Sequence, residues 1–132
     1  MRLGARYRLP IRFCRRSFEW PFARISRSAV SQAGLVTADA FLTPPWGEPV
    51  GPLLMERIPN LSRGITEVVA HPADDGEELR AYDTEYADMR AADAECLADP
   101  ALCDFVRASG VTTIGFKPVR DAMRNSPLSR LH

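Results

Sequence analysis

A short apolar segment that ends in a histidine and a proline constrains the fold more than any other feature of this sequence. The segment Ile65–His71 follows Gly64, is rich in β-branched residues and stops at Pro72, a pattern that predicts a β-strand. Because side chains alternate faces along a strand, Glu67 and His71 are expected on the same side. They lie about 13 Å apart along an extended chain, so the Glu67 carboxylate cannot contact the imidazole directly.

The rest of the chain alternates between strand and helix patterns. Further strands are predicted at Leu9–Phe13, Leu35–Leu42 and Val111–Phe116, and helices at Val50–Ile58, Thr84–Leu97, Pro100–Ala108 and Val119–Arg124. Strands separated by helices favour parallel β/α units, and four strands are too few to close an eight-stranded barrel of about 250 residues. The predicted fold is therefore α/β, at most part of a β/α barrel, with about four mostly parallel strands and intervening helices. We expect residues 1–132 to form a single domain with a frayed tail at 125–132.

Charge is distributed unevenly although the formal net charge is zero. Residues 1–27 contain eight arginines and one acid, whereas residues 67–104 contain twelve acids and two arginines. Both blocks also carry aromatic and aliphatic residues, so we interpret them as faces of a folded body rather than as charged tails. The basic block is a candidate for binding anionic substrate or phosphate groups, and no nucleic-acid partner is expected.

Cysteine content and hydropathy indicate a soluble chain in a reducing compartment. Cys14, Cys96 and Cys103 form an odd set without C-x-x-C spacing, and we interpret them as core thiols. No stretch reaches the roughly 20 apolar residues that a membrane span needs, and the basic N-terminus lacks the apolar run of a signal peptide. We therefore expect a cytoplasmic protein with no membrane partner.

The segment GITEVVAHPADDGEELRAYDTEYADMRAADAECLADPALCDFVRASGVTTIGFKPVRD resembles the C-terminal end of the YdjC/ChbG-like carbohydrate deacetylases. In that family a strand ending in E-V-x-x-H-P precedes a helix of R-x-x-x-x-E-x-L character, a D-P-capped helix and a final G-V-x-x-I-G-F-x-x-V/L-R strand and turn. The matching positions are Glu67, His71, Pro72, Arg90, Glu95, Leu97, Gly110, Ile114, Gly115 and Arg120. Ala73 stands where the family has a glycine. Upstream, RYRLPIR looks like the segment after the family's second metal-binding motif, with Arg12 ending a barrel strand.

The resemblance implies an irregular β/α barrel that removes acetyl groups from N-acetylated sugars such as chito-oligosaccharides. In the family, a divalent metal (Mg or Zn) held by an early aspartate and two histidines polarises the amide carbonyl and activates a water. This sequence contains neither the family's N-A-D-D-F-G motif nor its D-S-H-x-H segment, and its only histidines are His71 and His132. Since a catalytic metal site usually has three protein ligands, we expect that this chain does not fully ligate a metal. The chain is then expected to be inactive alone, either as a gene fragment or as half of a split enzyme.

His71 is the candidate catalytic residue, and Arg12 the candidate substrate-binding residue. A histidine at the carboxyl end of a strand is well placed to act as the general acid that protonates the leaving amine. The alternative for His71 is a partly buried imidazole bonded to a carboxylate. Arg12 could contact substrate hydroxyls or a carboxylate, with Glu67 as one possible partner. The alternatives are a surface arginine and a solvent-exposed Glu67.

Other residues in the sequence allow two interpretations each. Asp74 and Asp75 beside the histidine could suggest a metal site, but two aspartates before a glycine are more typical of a turn. Trp20 and Trp46 could stack on a sugar ring or fill the edge of a core. Expected partners are an N-acetylated oligosaccharide, a missing N-terminal half, or a second copy paired through an exposed sheet edge. The alternative function is a non-catalytic α/β interaction module that uses the basic block and an exposed apolar edge.

Overall fold

The computed structural model describes residues 1–12 and 27–125. The chain divides into two compact units. The central unit is Ala40–Thr112, and the terminal unit combines Met1–Asp39 with Thr113–His132. The predicted single domain over 1–132 stays a prediction, and all of the predicted frayed tail except Asn125 lies outside the described residues.

The described residues are mainly helical. The helices are α1 (Arg2–Tyr7), α2 (Arg27–Gln32), α3 (Val50–Arg57), α4 (Glu77–Tyr82), α5 (Ala87–Ala98), α6 (Pro100–Ala108) and α7 (Phe116–Asn125), and a 3-10 turn at Ile58–Asn60 follows α3. The strands are β1 (Ala40–Leu42) and β2 (Thr66–Val68).

The predicted partial barrel of about four strands is wrong, because the sheet in the described residues has two strands. β1 and β2 pair in parallel, with Ala40 opposite Thr66 and Leu42 opposite Val68. Of the strands predicted at Leu35–Leu42 and Ile65–His71, only these three-residue cores form.

The first predicted strand fails for a local reason. Arg8 has a left-handed backbone (φ 51°) and closes α1 by donating its N–H to Ala5. Pro10 then has no N–H to offer a ladder. The N–H of Leu9 bonds back to the carbonyl of Gly4 in α1 at 2.9 Å, and the N–H of Ile11 bonds to the carbonyl of Val36 at 3.0 Å. Residues 9–12 form no strand.

The last predicted strand, Val111–Phe116, is also wrong. The N–H of Val111 bonds back to the carbonyl of Val106 in α6 at 3.3 Å, and Phe116 already begins α7. Ile114 and Phe116 are half exposed. Apolar and β-branched residues favour a strand through packing against neighbouring strands, and this segment has no paired strand in the described part of the chain.

The helix predictions fared better because their signals are local. α3 begins at the predicted Val50, and α6 has the predicted bounds Pro100–Ala108. The side chain of Asp99 accepts a hydrogen bond from the N–H of Ala101 at 2.8 Å, which is the expected N-cap before a proline at the first helical position. The helix predicted at Thr84–Leu97 is α5, whereas α4 was not predicted.

The core of the central unit lies on one side of α3. Val50, Leu54 and Ile58 are buried, and α6 packs against them through Leu102 and Phe105. These residues recur at helical spacing on both segments, so each helix buries one apolar stripe. The packing fixes the start of α3, where the candidate site lies.

The terminal unit has a smaller core of its own. Val30, Leu35 and Met123 are buried there, with Ile11 and Val36 packed against them. The guanidinium of Arg8 donates to the last carbonyls of α7, those of Met123 and Arg124, at 2.6 Å each. A cation at a helix C-terminus satisfies carbonyls that have no partner within the helix and complements the helix dipole.

Candidate functional site at the carboxyl end of the strands

The parallel pairing of β1 and β2 places two loops at the same end of the sheet. The pairing continues past β2, because the N–H of Val69 bonds to the carbonyl of Leu42 at 2.9 Å. Trp46 follows β1 by four residues, and His71 follows β2 by three. Because paired parallel strands end side by side, about 4.8 Å apart, the loops that carry Trp46 and His71 leave the sheet together.

A buried carboxylate fixes the backbone of His71. Asp93 of α5 has no exposed surface. Its Oδ2 accepts from the N–H of His71 at 2.9 Å, and its Oδ1 accepts from the N–H of Val50 at 2.6 Å. Val50 is the first residue of α3, and the preceding Pro49 provides no side-chain cap. Asp93 therefore caps α3 from another helix and holds the His71 segment to the same point, where the positive end of the α3 dipole favours a carboxylate.

Arg90, one turn earlier on α5, holds the other side of this segment. Its carbonyl accepts from the N–H of Ala73 at 3.2 Å, and its Nη1 reaches the carbonyl of His71 at 3.5 Å. The guanidinium also pairs with Asp83, with Nε and Oδ2 2.6 Å apart. Both side chains of this pair are mostly buried, at 30% and 14% exposure, so it is less screened than a surface pair.

His71 itself is exposed. The alternative interpretation of His71 was a partly buried imidazole bonded to a carboxylate. A carboxylate does contact the residue, but it accepts from the main-chain N–H, and the residue is exposed. The segment is thus anchored by its backbone while the residue faces solvent. The role of His71 as a general acid stays a prediction.

Trp46 and Tyr86 form a ring pair at the same end of the sheet. Their ring centroids are 5.5 Å apart and the planes are nearly perpendicular, at 80°. The indole Nε1 donates to the Tyr86 hydroxyl at 2.6 Å, and that hydroxyl donates to Oε1 of Glu85 at 2.7 Å. The bond to Glu85 raises the pKa of Tyr86. We refer to Trp46, Tyr86 and Glu85 as the aromatic platform.

Asp75, one of the two aspartates beside the histidine, is bonded to an arginine. Asp75 accepts two hydrogen bonds from the guanidinium of Arg80, at 2.7 and 2.9 Å, and Arg80 also reaches Asp88 at 3.1 Å. The bond from Arg80 lowers the pKa of Asp75, and the same contact raises the pKa of Arg80. Across residues 1–12 and 27–125, no group of three or more histidines, cysteines and acids is arranged to hold a metal ion.

The structure does not place Arg12 on a strand. Arg12 is exposed, lies in the irregular stretch after α1 and belongs to the terminal unit. Glu67 is half buried in β2 of the central unit, so the prediction of a solvent-facing Glu67 fits only in part. The substrate-binding role of Arg12 stays a prediction. Trp20, His132 and Cys14 lie outside the described residues.

The two described cysteines differ in their surroundings. Cys96 on α5 is half buried, and burial, followed by the charges of Asp93 and Asp99, raises the pKa of its thiol. Cys103 on α6 is exposed, so its interpretation as a core thiol is wrong. Asp99 separates the two helices.

The sequence interpretation missed Asp93 as a functional residue. A signal was present, because Asp93 falls at helical spacing with Tyr86, Met89 and Cys96 in the helix predicted at Thr84–Leu97. An acid on a buried stripe must find hydrogen-bond partners. What the sequence does not reveal is that the partners are two backbone N–H groups from distant segments.

Comparison of the sequence with models of known protein families and with curated proteins gave no match. Among the helices of the described residues, none has the length and apolar character needed to cross a membrane.

Proposed function

We propose that the central unit is the C-terminal catalytic segment of a metal-dependent deacetylase that acts on N-acetylated sugars, with His71 as the general acid. The observation that carries the proposal is the anchoring of His71. Its main-chain N–H is bonded to the fully buried Asp93, yet the residue is exposed at the carboxyl end of a parallel strand pair. An acid that must meet a substrate repeatedly in one geometry benefits from such a fixed backbone.

The chemistry assigned to His71 is proton delivery. Cleavage of the C–N bond of an acetamide leaves an amine, and the nitrogen must gain a proton as that bond breaks. An imidazole transfers protons near neutral pH better than any other side chain. An exposed imidazole can also exchange its proton with solvent between turnovers.

In the described part of the chain, no three ligand-type side chains come together to hold a metal ion. The family motifs N-A-D-D-F-G and D-S-H-x-H, which supply the ligands in the resembled enzymes, are not in this sequence. The proposal therefore includes a second polypeptide that carries those motifs, and this chain is inactive without it.

The test measures acetate released from N-acetylated chito-oligosaccharide in the presence of Mg²⁺ or Zn²⁺. We expect no release from this chain alone and release when it is combined with the metal-binding half of a family member that carries both motifs. His71→Ala should lower the combined rate at least about 100-fold, the usual contribution of a general acid. His132→Ala, the other histidine, is the matched control. Activity of the chain alone, or equal rates for the two variants, would contradict the proposal.

A second candidate is a non-catalytic interaction module. It is favoured by the two-stranded sheet of the described residues, in which each strand has one edge not paired by the other. Such edges can pair with a strand from another chain. The test is the mass in solution: a stable monomer of 14.7 kDa at all concentrations argues against self-association through this edge.

A further inference from the structure

The aromatic platform presents an open indole ring. Trp46 is 86% exposed, although tryptophan is on average among the most buried residues. Although the ring contacts Tyr86 in an edge-to-face arrangement, an exposure of 86% leaves most of the residue's surface accessible to solvent. The one polar atom of the indole is already bonded within the chain, to Tyr86. What remains is a flat apolar surface in water.

The ring is also held in place. Its N–H is fixed by the Tyr86 hydroxyl, which is itself fixed by Glu85. The next residue, Gly47, has a positive φ of 82°, and a Cβ there would lie 3.4 Å from the ring of Tyr86. The backbone thus passes close to the tyrosine ring. A ligand that stacks on a ring already fixed pays little conformational entropy for ordering it.

The polar surroundings of the ring are acidic. Glu85 is part of the platform, and the neighbouring Glu48 is exposed. A carboxylate accepts several hydrogen bonds, so Glu85 retains acceptor capacity beyond its bond to Tyr86. A flat apolar surface beside hydrogen-bond acceptors matches a pyranose ring, which has an apolar C–H face and hydroxyl donors around its rim. A protein partner, in contrast, needs a contact of about 800 Å² per side, far more than one indole.

The platform lies close to the candidate catalytic residue. Trp46 is tied to Tyr86, which directly precedes α5, and the His71 segment is tied to Arg90 of α5. Tyr86 and Arg90 are four residues apart, which is about 6 Å along a helix. Both tethers are therefore at the beginning of one helix, with Tyr86 at its N-cap and Arg90 in its first turn.

We propose that the aromatic platform is a sugar-binding subsite, in which one pyranose ring of an N-acetylated oligosaccharide stacks on Trp46 and a hydroxyl of that ring donates to Glu85. The assignment rests on the proposed function, because it takes the sugar as the substrate of the neighbouring His71. It adds the residues that bind a ring next to the one that is deacetylated.

The test is a titration of the full chain with triacetylchitotriose. Trp20→Phe leaves Trp46 as the single tryptophan, so a saturable change in fluorescence reports on the platform. Affinity is then measured by NMR for Trp46→Ala, Glu85→Gln and, as a matched control, Tyr82→Ala, since Tyr82 is equally exposed at 89%. We expect Trp46→Ala to weaken binding about tenfold, the upper range for one aromatic contact, and Tyr82→Ala to leave it unchanged.

Three results would overturn the subsite: no saturable binding, equal losses in Trp46→Ala and Tyr82→Ala, or binding of a lysine-rich peptide in place of the sugar. The acetate assay separates this proposal from the previous one. There, Trp46→Ala should raise KM with little change in kcat, whereas His71→Ala should lower kcat. If His71→Ala abolishes acetate release and Trp46→Ala changes nothing, the deacetylase stands and the subsite is refuted. If the sugar binds at Trp46 but no combination releases acetate, the subsite stands and the deacetylase is refuted.

Discussion

Removing the carboxylate of Asp93 should destabilise the central unit severely. In Asp93→Ala, the N–H groups of the buried Val50 and of His71 both lose the acceptor that the buried carboxylate provides. A hydrogen bond to a charged group contributes about 1.5–3 kcal/mol. Two such bonds amount to roughly 3–6 kcal/mol, a large share of the 5–15 kcal/mol that holds a typical domain together.

Asp93→Asn removes the negative charge of the side chain but keeps its size and shape. The amide has the same outline, but one of its two terminal atoms is a donor that would face another donor. We therefore expect about half of the alanine effect, and protection from hydrogen exchange at one of the two amides. Glu95→Gln is the matched control, because Glu95 is an exposed acid on the same helix.

The assay is urea unfolding followed by circular dichroism, with hydrogen exchange at the amides of Val50 and His71. Should Asp93→Ala fail to fold, the asparagine variant still reports on both bonds. An alanine variant within about 0.5 kcal/mol of the wild type, the usual range for surface substitutions, would refute the reasoning. So would unchanged protection of both amides in Asp93→Asn.

Asp99→Ala removes the N-cap of α6 and should lower the free energy of unfolding by about 1 kcal/mol, measured by thermal unfolding. The control is Asp104→Ala, because Asp104 is an exposed acid within the same helix, and it should lower the free energy of unfolding by less. Equal effects of the two substitutions would argue against capping. Burial raises the pKa of Cys96, so its alkylation near pH 8, followed by peptide mass mapping, should be slower in the folded chain than in urea; equal rates would show an accessible thiolate. Arg80 lowers the pKa of Asp75, and a group with a lowered folded-state pKa stabilises the fold above its unfolded pKa and loses that contribution as the pH falls below about 4. An NMR titration of Asp75 should therefore show a midpoint that rises in Arg80→Gln; an unmoved midpoint would exclude this cause.

The elements that could be predicted are those whose signals lie within a few residues. Asp99 followed by Pro100 determines where α6 begins, because a cap and a missing N–H act on the first turn alone. Strands depend on a partner elsewhere in the chain. The segment at Val111–Phe116 has suitable residues but no paired strand in the described part of the protein, so its composition misled the prediction.

In the candidate site too, the features set by neighbouring residues could be predicted and those set by distant residues could not. Pro72 and the strand before it were enough to single out His71, since both act on the adjacent backbone. The anchoring by Asp93 was not predictable, because it joins residues 43 and 22 positions apart in the sequence. Such contacts exist only once α5 has packed beside α3.

The composition of the terminal unit has a consequence for the order of folding during synthesis. Its core combines Val30 and Leu35 with Met123, and Arg8 binds carbonyls of α7 near the other end of the chain. All residues of the central unit are synthesised before those of α7, so they also leave the ribosome first. We therefore expect the middle of the chain to become protease-resistant first, while the opening segment waits, without its closing helix, for the last residues to emerge.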